Sequence, residues 1–386
     1  MSEIKVNSIK GVAATTAALT INNTDGTCTA NLTNRINKNL VINGAFQVAQ
    51  RGTSSTTSGI ATVDRFGMYH SGIDEAPTQA QGSVTSGGAY DSGFRNCLKA
   101  TNGNQTSGGG AAKYIWIQSL FEAQDIANSG WNYTSTSSFI TVQFWVKSSV
   151  AQNFYGYVRS VDGSNYLYPF ETGSLSANTW TKVTKTIPGN SNLTFDNDTG
   201  HGFQINIFPY LGTGYTGSIS LNAWSAYNSS VRTPDYTATW YTTDNATFEL
   251  TGVQIEVGSV ATDFEHRSFA QELALCQRYY FQLVDDNSQF IGIGHSFSSS
   301  EIDVGIPFQT AMRAAPSLVQ TSGGNYFSVF GGGDSTTYVD GNWTIFAATE
   351  HGCFIYATPD ASITAGNTKL IRSTNASARL AFNAEV

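Results

Sequence analysis

A chain of 386 residues with only 12% charged side chains, a net charge of −8 and a pI near 5.1 lacks the cationic field that recruits nucleic acid or an anionic membrane. It has room for roughly two or three domains and for a core large enough to stand without disulfides. Gly, Ser, Thr, Asn and Tyr abound while Lys and Glu are scarce, a mixture that suits short strands joined by turns and predicts an all-β architecture.

Cys28, Cys97, Cys276 and Cys353 form no C-x-x-C pair and read as free thiols of a chain folded in a reducing cytoplasm. The opening MSEIKVNSIK holds no apolar segment of signal-peptide length, and no run of about eighteen apolar residues follows it, so membrane insertion is not expected. Residues 1–37 spread a few apolar groups, among them Ile4, Val6, Ile9 and Leu19, through Ser, Thr, Ala and Asn. Such a segment buries too little to fold alone. It is either a disordered tail or an attachment segment that orders on a larger assembly.

From residue 38 to 266 the chain carries strand-length runs. In Phe139 to Lys147, Ile140, Val142, Phe144 and Val146 share one face, and Thr141, Gln143, Trp145 and Lys147 the other. Further runs lie at Tyr114 to Phe121, Phe154 to Val161, Trp180 to Ile187, Phe203 to Tyr210 and Ser218 to Trp224. Their spacing predicts an antiparallel jelly-roll β-sandwich. In Phe248 to Val257 the apolar parity changes, and a bulge at Thr251-Gly252 restores one core face.

Residues 267–283 read as a linker helix, about 268–282, opened by a capping box of Ser268 and Gln271. Phe269, Leu273, Cys276 and Tyr280 form its apolar seam, which packs either about a threefold axis or against its own sandwich. Residues 284–386 return to strands as a small C-terminal β domain. Asp340-Gly341 signals a hairpin turn, and Pro307 and Pro316 bracket an edge strand or loop.

Two segments are more specific. NLVINGAFQVAQRGTS (Asn39 to Ser54) with VDRF (Val63 to Phe66), and TGVQIEVGSVATDFEHRSFAQELALCQRYY (Thr251 to Tyr280), resemble the opening and closing of a module common in phage tail fibres. MRAAPSLV and ARLAFNAEV resemble fibre C-termini more loosely, and MSEIKVNSI resembles the N-termini of cyanophage fibre-like proteins. The resemblance implies a homotrimer in the virion tail and a sandwich similar to carbohydrate-binding modules. It also implies an N-terminal anchor for tail or adaptor proteins through residues 1–37, and a distal C-terminal tip that meets a host cell-surface glycan or protein. Related sandwiches often hold a structural calcium, for which the Asn43-Gly44 backbone, Asp64 or Glu256 could supply oxygens; no metal site is assigned and no cofactor is implied.

No G-x-S-x-G, H-E-x-x-H or P-loop pattern occurs, and the acidic residues, Glu301 and Asp303 included, form no catalytic motif. The chain is therefore expected not to be an enzyme, with a polysaccharide depolymerase as the least favoured reading and a purely structural fibre or decoration protein as the main alternative. Glycan recognition needs aromatic platforms beside hydrogen-bonding groups. Gln143 and Trp145, Tyr114 and Trp116, and Trp224 with Ser218, Ser220 and Asn222 are candidates on strand faces. Tyr326, Phe330 and Trp343, near Gly331 to Gly333, are candidates at the tip. The alternative for each strand-face aromatic is packing against a loop or neighbouring subunit, and for the tip a turn with core aromatics on both sides. His266 reads as capping or packing the turn from the last strand into the helix.

Overall fold

In a computed structural model of the chain, residues 37–386 are described continuously, preceded by Val6 and three short strands, Ser8–Ile9, Leu19–Ile21 and Cys28–Ala30, paired antiparallel. The expectation of an attachment segment over residues 1–37 falls largely outside the described residues.

The sandwich is two six-stranded antiparallel sheets, as expected. One runs Ser225–Ala226, Tyr166–Ser174, Asn153–Ser160, His201–Leu211, Tyr114–Glu122, Gly67–Ser71. The other runs Thr181–Pro188, Phe139–Ser148, Thr247–Val257, Asn96–Thr101, Thr78–Ser83, Ser54–Ser55. Ile140, Val142, Phe144 and Val146 enter the shared core with residues such as Phe154, Phe170, Phe203 and Trp240. The parity change in strand 247–257 is resolved as its pattern predicts. Thr251 pairs with Trp145 and Gln254 with Gln143, one extra residue that puts Phe248, Leu250, Val253 and Ile255 all in the core.

The two halves of the tail-fibre-like signature meet in space. Leu40 N donates to Ile255 O (2.9 Å) and Val253 N to Gly44 O (2.9 Å), while the Asn39 amide spans Ile255 N and Val253 O. Gly44 is required by close approach, since a Cβ there would lie 2.0 Å from Val253 O.

Ser218 to Trp224 is not a strand. Residues 212–238 are a long excursion with one short strand, Ser225–Ala226, folded over the outer face of the first sheet. The helix begins at Ser268 with the predicted capping box but covers only Phe269–Gln277, because the chain beyond it is captured as strand Tyr280–Val284 by Arg379–Asn383. The expected seam is corrected with it. Cys276 and Tyr280 are buried in their own chain, Leu273 is half-buried and Phe269 alone stands 54% exposed. Glu272, buried on the same helix, accepts from Asn43 N and pairs with Arg267 at 3.5 Å. The helix therefore lies on its own sandwich.

The C-terminal region has its own core, a three-stranded sheet (280–284, 379–383, 317–321) and a seven-stranded one. The latter runs Asp334–Val339, Phe327–Gly331, Thr368–Ser373, Phe290–Ser298, Glu301–Pro307, Gly352–Ala357, Thr344–Ala348. Asp340-Gly341 does not make a hairpin, for the strands flanking it are the two edges of this sheet. Five Cα steps from Val339 to Thr344 reach at most about 18 Å, whereas a flat sheet would hold its edges about 29 Å apart. The sheet is therefore curled on itself. The segment bracketed by Pro307 and Pro316 is a loop, as expected.

Sandwich and C-terminal region are joined through buried charge. Glu122, wholly buried, receives two hydrogen bonds from Arg278 (2.7 Å each) and one from Tyr279 Oη (2.6 Å). Burial opposes its charge, but those donors hold the carboxyl below its usual range. The Arg65 guanidinium lies 3.4 Å over the Tyr279 ring and Arg51 3.6 Å over Tyr280, and both pair with Glu385. Arg313 ties Thr199 O to Ala384 O and Glu385 O. Cys97, Cys276 and Cys353 are buried and free. Burial pushes the Cys97 thiol up to about 12 and Cys353 up to about 11, so these thiols are unreactive. The side chain of Cys28 lies outside the described residues.

Gly252, at φ +63°, has Phe94 Cζ 2.5 Å from where a Cβ would sit. Gly252→Ala is expected to destabilise the sandwich by at least about 2 kcal/mol, from strain plus displacement of Phe94, read as a lowered denaturant midpoint. Asp64 sets a pH dependence. Burial pushes its carboxyl up to about 6 despite Arg51 and Gln50. Its contribution to stability is complete below its unfolded value near 4 and is lost as pH rises through about 6. Asp64→Asn removes that loss, so the variant's stability relative to the wild chain should rise by roughly 3 kcal/mol between pH 4 and pH 7.5. Denaturant unfolding at a series of pH values checks it, and a flat difference contradicts it.

Candidate functional site

The outer face of the second sheet carries Gln143 and Trp145 on strand 139–148, with Thr184 and Lys182 directly opposite them on strand 181–188. This face is only partly open. After strand 247–257 the chain doubles back across it, taking Thr141 Oγ1 onto Gly258 O (2.8 Å) and Gln143 Nε2 onto Thr262 O (2.7 Å). Phe264 and His266, on the same returning segment, pack on Phe94 with ring centroids 4.8 and 5.1 Å apart, and His266 Nε2 lies 3.1 Å from Ser92 O. The packing role read for His266 is what this geometry gives it. On the other side the short helix Gly87–Asp91 lies against the indole of Trp145, so closely that a Cβ on Gly88 would fall 2.7 Å from Cη2.

Between these covers is a pocket of about 460 Å³. Phe94, Trp145 and Phe264 wall it, Asp91, Lys182, Asp263 and His266 bring ionisable side chains to it, and Gln143 and Gly252 are also in its lining. Gln143 is 2% exposed. Its orientation is fixed, because Thr262 O can be met only by the amide Nε2. Oε1 is thereby left buried without a hydrogen-bond partner among the described residues. A buried acceptor in that state forfeits on the order of 1–3 kcal/mol, and a ligand donor recovers it only by displacing the groups that now shield Oε1 from solvent. Trp145 and Phe264, both half-buried, are the rings left to stack on an apolar ring face, and the size is that of small-ligand pockets generally.

Of the residues selected by sequence, the structure brings Gln143 and Trp145 into this pocket and commits most of the others elsewhere. Tyr114 and Trp116 stack on each other at 4.0 Å and 14°. The excursion 212–238 covers them, with Tyr215 edge-on to Tyr114 at 5.7 Å and the Arg232 guanidinium 5.4 Å from the Trp116 ring. Trp224, in a loop, donates to Pro188 O (2.7 Å) and packs on Tyr168. Trp343 is corrected from tip surface to core: it is 2% exposed and edge-on to Phe327. Tyr326 is half-buried above Gly323, and Phe330 is half-buried and outward-facing with Arg372 5.2 Å over its ring.

Sequence reasoning missed Phe94, Phe264 and Lys182. Lys182 had a usable signal, since the alternating run Trp180 to Ile187 could have been paired with 139–147. Phe94 and Phe264 sit in irregular segments that carry no period.

The oxygens considered for calcium are taken up within the chain. Asp64 accepts from Gln50 and Arg51, and Glu256 accepts from Thr262 N (2.8 Å), Thr262 Oγ1 (2.5 Å) and Gln254 Nε2 (3.0 Å). Among the described residues no group of three or more His, Cys, Asp or Glu side chains converges as a metal site, and no helix is long and apolar enough to cross a membrane.

No known protein family and no curated protein matches the chain by sequence. Among solved structures it is similar to the enzymatically active domain of tailspike protein 4 from bacteriophage CBA120, at 9% identity and a TM-score of 0.31 over 57% of this chain and 21% of that one. The chain thus spans about a fifth of that tailspike domain. It is also similar to the N-terminal cellulose-binding domain of β-1,4-glucanase C from Cellulomonas fimi (12% identity, TM-score 0.27, 55% of this chain and 99% of that one). A family 11 carbohydrate-binding module from Clostridium thermocellum matches at 12% identity and a TM-score of 0.24, over 55% of this chain and 98% of that one.

Proposed function

We propose that this protein is a non-catalytic, glycan-binding fibre of a phage virion, which works as a homotrimer and engages a host-surface glycan in the pocket around Gln143 and Trp145. The observation that carries the glycan reading is the pinned Gln143 amide, a lining residue of a pocket with aromatic walls whose Oε1 has no hydrogen-bond partner among the described residues. Sugars match that combination, because they present an apolar ring face to an aromatic wall and hydroxyl donors to a fixed acceptor. The fibre reading rests on the segments Asn39 to Ser54, Val63 to Phe66 and Thr251 to Tyr280 that resemble tail-fibre modules. In this reading residues 1–37 attach to tail or adaptor proteins and the body faces the host.

A second reading, a structural fibre or decoration protein without a receptor, is favoured by one observation: Tyr114, Trp116, Trp224 and Trp343 are all engaged in packing within the chain. Imaging of the particle separates the two, since a free distal end favours binding and burial of residues 284–386 against other virion proteins favours the structural role.

Binding is tested with the full chain on an array of bacterial surface polysaccharides, followed by titration of the best ligand. Gln143→Leu, which keeps volume and removes the acceptor, should weaken affinity about tenfold, while Trp116→Phe on the covered face of the other sheet should change it less than twofold. Equal effects of the two substitutions, or no ligand on the array, would sink the pocket.

A further inference from the structure

The seven-stranded C-terminal sheet turns an apolar face to solvent. Its register places six residues in one row across six adjacent strands. Phe330 pairs with Leu370 and Leu370 with Ile293, Ile293 stands beside Gly305, Gly305 pairs with Phe354, and Phe354 with Phe346. Phe354 lies over Gly305, where a Cβ would be 3.3 Å from its ring. Ile293, Phe346, Phe354 and Leu370 are 63%, 65%, 53% and 40% exposed, and Phe290 and Phe297 on the same strand as Ile293 are 60% and 66% exposed.

These six side chains expose the equivalent of about three and a half whole residues, or ~700 Å² at ~200 Å² each. Shared between two neighbours, that is about 350 Å² of apolar surface for each, a substantial part of the about 800 Å² per partner that a stable interface buries. Outward charge on the strands from 290 to 307 and from 344 to 373 is confined to Glu301, Asp303 and Arg372. Asp303, opposite His295, has one carboxylate oxygen buried without a partner among the described residues. Such depletion of charge marks the centre of an interface rather than a solvated face.

We infer that this row is the surface through which copies of the chain associate, each copy meeting its neighbours at the C-terminal sheet rather than along the helix. The shape argues for copies of the same chain over a foreign partner. Because the sheet is curled, the row reaches two different sides of each subunit, from Phe330 near one edge to Phe346 at the other. One flat partner cannot cover both sides, whereas a closed ring of identical subunits presents one side to each neighbour. The inference rests on the homotrimer of the proposed function and names where its subunits touch.

Light scattering of the full chain at micromolar concentration reads the result directly. The wild chain should show three times the 41.4 kDa of one subunit. Ile293→Lys combined with Phe346→Lys, both outward-facing, should lower the mass to a single subunit, and Phe269→Lys on the exposed flank of the helix should leave the trimer intact. If the lysine pair fails to fold, as judged by circular dichroism, Ile293→Ser with Phe346→Ser takes its place under the same criteria. A trimer that survives the double substitution overturns the interface and leaves the trimer standing. A single-subunit mass for the wild chain overturns both. Glycan binding measured on the monomeric variant keeps the fate of the Gln143 pocket separate from either outcome.

Discussion

A carboxylate with no access to water must find donors inside the protein, and the position of Glu122 makes that requirement decide how the chain is put together. It ends strand 114–122 on the sandwich side, and beside a bond from Gln124 it takes three from Arg278 and Tyr279, just past the helix. Removing one partner from a buried pair of this kind typically destabilises by about 3–5 kcal/mol. The neighbouring positions obey the same demand. Arg51 and Arg65 spread over Tyr280 and Tyr279 and share Glu385 near the C-terminal end of the sequence. The run from Cys276 to Tyr280 is thus a clamp on the junction, and the ring faces of Tyr279 and Tyr280 are used by arginines of the same chain. That explains why the apolar spacing from Phe269 to Tyr280 does not stand out as one exposed ridge on the subunit.

What could be read in advance was whatever a strand or helix end dictates locally. Alternation over 139–147 separated core from outer face because successive side chains must diverge. The parity change at Thr251-Gly252 announced a bulge because only an extra residue reconciles the two halves, and Ser268 with Gln271 announced a helix start because both backbone N–H groups need acceptors. Partner choice was not legible. Asp340-Gly341 is good turn chemistry, but the flanking strands found Phe327–Gly331 and Gly352–Ala357 instead of each other. Trp343 sits two residues past that exposed pair and turns into the core. Residues 218–224 alternate as a strand would, yet they lie in an excursion that covers the neighbouring sheet.

The same distinction separates the visible half of the candidate site from the hidden half. Parity correctly set Gln143 and Trp145 on the outer face. It said nothing about the cover that turns a face into a pocket. A bare sheet face is shallow, and concavity arises here because the helix 87–91 and the return of the chain through Thr262, Phe264 and His266 rise on either side of it. The return segment also fixes the chemistry. By taking Gln143 Nε2 it decides which end of the amide remains unpaired.

The outer faces of the three large sheets are managed in three different ways, and the differences assign them different work. The first sheet's face is sealed by the 212–238 excursion, which gives Tyr114 and Trp116 rings of their own chain to pack on. The second is half-covered, leaving one pocket with an unmet acceptor. The C-terminal sheet's outer face carries no covering segment over its apolar row among the described residues, although the chain has loops enough to supply one. A fold that seals one sheet so thoroughly has the means to seal another. An apolar row kept open across six strands is therefore better explained by a neighbouring molecule than by incomplete packing, and its reach to both sides of a curled sheet makes the neighbour a copy of the same chain.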